Sequence, residues 1–319
     1  MCKIKKKIPL AYFAYNRPEH TKRSLASLSK CKSKDLYDFY FFSDAPFDES
    51  NKLKVEEVRS ILRNKAKFFS ASLVERPSNL GLSKSIVSGV SELTETYGKV
   101  VVLEDDLELS PEFLTFMAAA LEEYENDHEI MQVGAYTIAE PKGLEMDAFF
   151  LPITTTWGWA TWHRAWKQFS WTPKGYPNIL ENKEWASLFN VNGATDYLSM
   201  LEDRLAGQND SWGILWWYVV SKAKGKVVYP SKTLVTNFGF DGSGVHCGAG
   251  GESQFGINTL NDSSLQNPVY FPGNKMVREI DWLALEETLR GGQRPYFGLK
   301  SRLKKIFKES ALRIKNAIH

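Results

Sequence analysis

The chain has 319 residues, 43% hydrophobic and 24% charged, which is ample for a globular core as one large domain or two small ones. Its three cysteines, Cys2, Cys31 and Cys247, lack CxxC spacing, which argues against a disulfide framework or a structural zinc site and fits a reducing compartment. The +2 net charge hides an asymmetry: Lys3, Lys5, Lys6 and Lys7 give +4, residues 299–319 give +6, and the body between carries −8, a pattern of basic tails rather than of a nucleic-acid-binding face.

The apolar stretch Ile8 to Tyr15 is too short for a secretory signal before Asn16-Arg17-Pro18. No run approaches the roughly 20 apolar residues of a membrane span. The expected location is cytoplasmic, or the cytoplasmic face of the inner membrane. In chain order, Ile8–Tyr15 reads as a strand and Glu19 to Ser29 as a helix. Tyr37–Phe42 reads as an aromatic strand ending at Ser43-Asp44, and Asn51 to Ala66 as an amphipathic helix. Phe68 to Val74 is a weak strand and Ser83 to Tyr97 a helix with Ile86, Val90 and Leu93 at helical spacing. Val100–Leu103 is a short β-branched strand, followed by a helix from Glu112 to Glu125. This alternation predicts βαβ units and a mostly parallel sheet. From Ile130 the pattern turns irregular, with short strands and dense aromatics. Helices are expected at Glu181 to Leu188, Tyr197 to Leu205 and Gly213 to Lys222, and strands at Lys226–Tyr229 and Leu234–Asn237. Leu299 to Ile318 places its apolar residues near one helical face among basic neighbours.

Four segments are expected at one edge of the sheet. The strand Val100–Leu103 delivers Glu104-Asp105-Asp106, and three adjacent like charges need a counter-charge, typically a hard divalent cation shared with nucleotide phosphates. Asn16-Arg17-Pro18 ends the first strand and Asp44 the second. Asn79-Leu80-Gly81-Leu82-Ser83 precedes a helix whose N-terminus can face an anion. Each segment taken singly is also an ordinary turn or cap.

In this order, Tyr15-Asn16-Arg17, Asp44, Asn79-Leu80-Gly81-Leu82-Ser83 and Glu104-Asp105-Asp106-Leu107-Glu108 resemble the GT-A-fold nucleotide-sugar glycosyltransferases. The chain is similar to bacterial family 2-type sugar transferases and to the N-acetylglucosaminyltransferase that initiates complex N-glycans, over roughly residues 8–250. The resemblance implies an α/β Rossmann-like sheet flanked by helices. Residues 1–129 would form the nucleotide-sugar-binding half, 130–295 the acceptor and catalytic half, and 296–319 a basic amphipathic tail. It implies Asp106 as ligand of Mn²⁺ or Mg²⁺, and Glu104 and Asp105 as contacts to ribose and donor sugar. Asp44 would accept from the base and Arg17 face the diphosphate, with Asn16, Asn79 and Ser83 in the same donor site and a UDP-sugar favoured.

Three further blocks bear on the acceptor side. Thr156-Trp157-Gly158-Trp159-Ala160-Thr161-Trp162-His163-Arg164-Ala165-Trp166 offers indoles that can stack on sugar rings, or an aromatic core; Trp157, Trp159 and also Trp212 are the candidates. Asn209-Asp210-Ser211-Trp212 looks like the segment that carries the catalytic base of inverting relatives. Asp210 is then the base, or a helix cap, with Asp203 and Asp196 as alternatives. Asn237 to Cys247 is Gly-rich and similar to a segment of bacterial relatives, in which His246 would ligate metal or phosphate as the loop closes over the donor. The expected activity is transfer of a sugar to a glycan or lipid-linked glycan hydroxyl, inverting by direct displacement, in bacterial surface polysaccharide synthesis. The C-terminal tail would touch anionic membrane. A sugar-1-phosphate nucleotidyltransferase would need a Gly-rich, basic phosphate loop after the first strand, where Tyr15-Asn16-Arg17-Pro18 stands. A non-catalytic carbohydrate-binding protein would not need three acids at a strand edge.

Overall fold

The computed structural model describes residues 6–242, 260 and 265–291. In chain order its elements are β1 (Ile8–Ala14), α1 (Pro18–Lys30), β2 (Tyr37–Ser43), α2 (Glu49–Phe69), β3 (Ser72–Glu75), α3 (Leu82–Tyr97), β4 (Lys99–Glu104), β5 (Leu107–Leu109), α4 (Phe113–Glu123), β6 (Ile130–Gly134), β7 (Ala148–Leu151) and β8 (Trp159–Trp162). There follow α5 (His163–Trp166), α6 (Tyr176–Glu181), α7 (Lys183–Phe189), α8 (Tyr197–Leu205), α9 (Trp212–Lys222), β9 (Lys226–Pro230), β10 (Val235–Asn237) and α10 (Glu279–Gly291).

Eight strands form one sheet in the order β3-β2-β1-β4-β8-β6-β9-β7. The β3-β2-β1-β4 half is parallel throughout. β8 then runs antiparallel between β4 and β6, while β6 and β9 are parallel and β7 closes the edge antiparallel to β9. β1, β2, β4, β6 and β9 therefore all end at the same edge, where β8 begins. The division near residue 130 falls inside this continuous sheet.

Both faces of the sheet are covered, which explains why β4 reads as an unbroken apolar run. Its residues alternate between two cores: Val101 and Leu103 pack with α1, α2 and α4, and Val100 and Val102 with α3 and α9. The helices begin where their caps dictate. Pro18 opens α1, and Asp48, Asn182 and Ser211 accept backbone N–H groups at the starts of α2, α7 and α9. The expected helix from Glu181 to Leu188 is α7, started by the Asn182 cap, while Glu181 ends α6. α2 runs on to Phe69 and stops at Ser70 in the left-handed conformation, so the expected strand from Phe68 shortens to Ser72–Glu75. The amphipathic stretch Leu299 to Ile318 lies outside the described residues.

Gly89 lets α3 approach the sheet. A Cβ there would stand 2.8 Å from Phe13 Cζ and 3.2 Å from Phe42 Cζ, two rings stacked at 4.8 Å. Gly89→Ala gains about 1 kcal/mol of helix propensity. Overpacking of stacked aromatics costs about 1–3 kcal/mol and has no flexible side-chain end to yield. We expect urea unfolding to show net destabilisation of about 1 kcal/mol; a more stable variant would refute this packing account.

Candidate active site

The acidic triplet sits where β4 leaves the core. Glu104 is the last residue of β4, and Asp105-Asp106 form the turn into β5. The counter-charge comes from the neighbouring strand. β1 pairs with β4 through Phe13 opposite Glu104, and Pro18 starts α1 at once, so Arg17 is held beside the acids. Arg17 Nη2 donates to Asp105 Oδ1 and, at 3.1 Å, to Asp106 Oδ2. The Tyr15 N–H points to Asp105 Oδ2 at 3.5 Å.

The electrostatics follow from burial. Desolvation, then the charges of Asp106 and Asp105, push the Glu104 carboxyl up. Desolvation also pushes Asp105 up, against the pull of Arg17. Burial works against the Arg17 charge, but Asp105 and Asp106 outweigh it and hold the guanidinium above its ordinary range.

A small second sheet seals the acidic turn. β10 pairs antiparallel with β5, Phe238 N–H donates to the Asp106 carbonyl at 3.0 Å, and Gly239 N–H donates to Asn237 Oδ1 at 2.7 Å. A Cβ on Gly239 would stand 2.5 Å from Asp106 Oδ2 and 3.1 Å from Arg17 Nη1, so a larger residue there would displace the Asp106 carboxylate. Phe238 stacks on His20 at 5.1 Å and lies under the Arg23 guanidinium at 4.2 Å. His20 Nε2 is 3.2 Å from Asp241 Oδ2. Burial, then the Arg17 charge, lower its pKa. The sequence singled out this Gly-rich block for His246, which lies outside the described residues; the block meets Asp106 through Phe238 and Gly239, just after β10.

The nucleotide side shows one departure. Asp44 directly follows β2, at the strand end as expected, but its carboxylate does not face open space. Oδ1 accepts from Ala45 N–H at 2.9 Å, Leu80 N–H reaches both oxygens at 2.9 and 3.0 Å, and Gly81 N–H reaches Oδ2 at 2.9 Å. Asn79 Nδ2 donates to the Ala45 carbonyl at 2.7 Å. Asp44 and Asn79 together clamp the loop before α3, with three backbone amides donating to the Asp44 carboxylate. Asn16 Nδ2 donates to Asn51 Oδ1 at 2.7 Å.

Ser83, in the first turn of α3, donates to the Asp210 carbonyl. This bond ties the segment before α9 to the start of α3. Helix capping there falls to Ser211, whose Oγ accepts from Ile214 N–H, so the exposed Asp210 carboxylate is not the cap. Among the alternatives, Asp196 is itself the cap of α8.

The tryptophans need correction. Trp159 is 0% exposed and Trp212 5%, the two stacked at 5.3 Å beside Trp166 and Trp216. Neither can receive a sugar; they are core, placed there by β8 and α9. The indole N–H groups of Trp162, Trp166, Trp216 and Trp217 donate to protein acceptors. Trp157 alone of the three candidates is half-buried, edge-on to Tyr136 and Phe240 at the site edge. Arg164 braces three carbonyls, those of Glu125, Ile130 and Tyr124.

The family model described as "Glycosyl transferase family 2" matches residues 13–181, more than half of the chain. The chain belongs to glycosyl transferase family 2. Its helix-flanked sheet, parallel where the acidic turn emerges, is the GT-A arrangement that the sequence leads one to expect. No curated protein matches this family 2 glycosyltransferase significantly. Among solved structures it is similar to a mannosyltransferase from Pyrobaculum calidifontis in complex with GDP-Man and Mn²⁺, at 11% identity and TM-score 0.41 over 69% of this chain and 70% of that one. It is similar to a TarS fragment from S. aureus, at 12% and 0.41 over 72% and 59%. It is similar to GalNAc-T7 with UDP, GalNAc and Mn²⁺, at 10% and 0.45 over 72% and 43%. The family 2 chain thus spans well under two thirds of the last two.

Arg17 is the test of the site's electrostatics. Removing one partner of a buried ion pair costs about 3–5 kcal/mol, because the remaining charges lose their counterpart. Arg17→Met keeps the apolar stem, and we expect its unfolding free energy in urea, without added metal, to fall by about 3 kcal/mol. A change below about 0.5 kcal/mol, the range of ordinary surface substitutions, would show that the acids do not depend on Arg17.

Proposed function

We propose that this family 2 glycosyltransferase is metal-dependent and moves a sugar from a nucleotide diphosphate donor to a hydroxyl of a glycan or lipid-linked glycan, inverting by direct displacement. The observation that carries this is the pairing of Asp105 and Asp106 with Arg17 at the C-terminal edge of a parallel half-sheet, the edge where open α/β sheets bind ligands.

The donor set suits Mn²⁺ or Mg²⁺. Asp106 and Asp105 offer hard carboxylate oxygens, and no three metal-ligating side chains converge among the described residues. Magnesium-type sites use one or two carboxylates and leave the remaining positions to phosphates and water. Asp106 is the proposed ligand, with Asp105 and Glu104 facing ribose and donor sugar. A bound cation there neutralises charge developing on the leaving diphosphate. Arg17 supplies fixed positive charge at the same place. Asp44 and Asn79 hold the loop before α3 in position. Ser83 ties that helix to the segment of Asp210, whose carboxylate takes the proton of the attacking acceptor hydroxyl. Trp157 offers the one aromatic edge available to an acceptor among the three candidates.

A role in bacterial surface polysaccharide synthesis, with the basic residues 299–319 against an anionic membrane, accords with the charge pattern of the sequence. No helix among the described residues is long and apolar enough to cross a membrane.

Isothermal titration of UDP and GDP with and without Mn²⁺ tests the reading. Metal-dependent binding is expected in the native protein and lost in Asp106→Ala; metal-independent glycan binding alone would sink the proposal. Asp210→Asn is expected to keep donor affinity and lose about 10²-fold or more in kcat, the usual scale for a general base. Full turnover in that variant moves the base to another acid.

A further inference from the structure

Two sides of α10 are apolar, and only one of them is packed. Leu285 and Leu289 are buried in the same core as Phe189 and Trp217, and Trp282 packs against that cluster. Arg290 Nη2 donates to the Asn192 carbonyl at 2.9 Å and Asn192 Nδ2 donates to Glu286, so the helix is fastened to the body near its C-terminal end. The other side carries Ile280 and Leu283, one turn apart and 49% and 53% exposed, and Met276 just before the helix is 71% exposed. Single exposed apolar residues are ordinary on any surface; a row of them along one helix marks an interaction face.

Acids flank this row. Glu279 and Glu287 are exposed, four residues to either side of Leu283. Among the described residues the ion pairs of α10 join Arg278 to Asp281 and Arg290 to Glu286, which leaves Glu279 and Glu287 without a cation. Such a face fits a partner that is apolar along a helical stripe and basic beside it.

The chain itself supplies that chemistry. Gly291 ends α10, and Gly292 to Gly298, with Pro295 inside, reads as a helix stop and a connection of seven residues. Connections of about two to eight residues join helices that pack as antiparallel neighbours. Leu299 to Ile318, outside the described residues, places Leu299, Leu303, Ile306, Phe307, Ile314 and Ile318 near one helical face, and residues 299–319 carry +6. At helical rise this stretch spans about 30 Å against about 20 Å for α10. A return path along α10 therefore passes Leu283 and Ile280 and reaches Met276.

We propose that residues 299–319 fold back antiparallel along α10, their apolar face covering Leu283, Ile280 and Met276 and their lysines and arginines meeting Glu287 and Glu279. The dock does not depend on the sugar-transfer reading. One apolar face cannot lie on α10 and on a membrane at once, so this is the place of the tail away from a membrane.

Thermal unfolding of the full chain, without lipid, tests the dock through the sign of one substitution. Leu283→Lys keeps helix propensity. On an open face the new lysine stands four residues from both Glu279 and Glu287, and such pairs stabilise a helix slightly, so Tm would hold or rise. Under a basic apolar tail the same change removes buried surface and sets cation against cation, and Tm is expected to fall by about 2–4 °C. Ile306→Lys, which alters the tail and no residue of α10, is expected to produce a fall of similar size. The double variant is expected to lose little more than either alone, because both break one contact. An unchanged or raised Tm in Leu283→Lys overturns the proposal, as do fully additive falls in the double variant. A fall in Leu283→Lys with none in Ile306→Lys also overturns it and assigns the face to another occupant; a Tm that then rises with protein concentration identifies a second copy of the chain.

Discussion

Three carboxylates at the end of β4 set the terms for the edge of the sheet around them. Two unit charges 4 Å apart interact by about 4 kcal/mol at an effective dielectric constant near 20, and burial of Glu104 and Asp105 adds a desolvation cost to the repulsion. The fold holds such a group only by placing a cation beside it. Arg17 is that cation, and its place follows from chain geometry: β1 lies parallel to β4, and Pro18 starts α1 without an intervening loop. A guanidinium meets this need better than an ammonium. It stays charged at any working pH and is more weakly hydrated, so it loses less on burial.

The parallel half of the sheet was legible because its physics is local. Strand-length apolar runs alternated with helical spacing, and each change of period marked an element. The acidic triplet, Asn16-Arg17 and Asp44 then fell at strand ends by counting alone. The half after residue 130 was harder to read. β6, β7 and β8 have five, four and four residues, all buried, and such runs carry no alternation from which to infer a strand. The insertion of β8 between β4 and β6 is a tertiary fact with no local signal.

Trp159 and Trp212 were misread for a related reason. An indole has the same chemistry stacked on a sugar or on another indole, and only the register of β8 opposite β4 puts Trp159 inside. Asp44 shows the converse. Its position is at the site edge, as its place after β2 implies, but its partners are backbone amides from residues 80 and 81, and backbone donors leave no mark in a sequence. Asn51 was legible only as the start of the expected helix from Asn51 to Ala66. Its link to Asn16 required two elements to be brought together across 35 residues.

The two halves of the domain meet at the acidic turn and not only along the sheet. β10 comes from the half after residue 130, yet it pairs with β5 directly after the acids, and Gly239 lies against the Asp106 carboxylate and the Arg17 guanidinium at once. Phe238 donates its N–H to the Asp106 carbonyl while its ring is held between His20 and Arg23 of α1. Asp106 is therefore fixed through both its backbone and its side chain by residues some 130 positions away in sequence. Shifting this segment means breaking a hydrogen bond, a stacked pair and a cation–π contact together, each worth on the order of 1 kcal/mol. The acidic turn and the strand that leads out of the second half of the sheet thus form one mechanical unit, and the geometry of Asp106 is set as much by Gly239 as by the strand that delivers it.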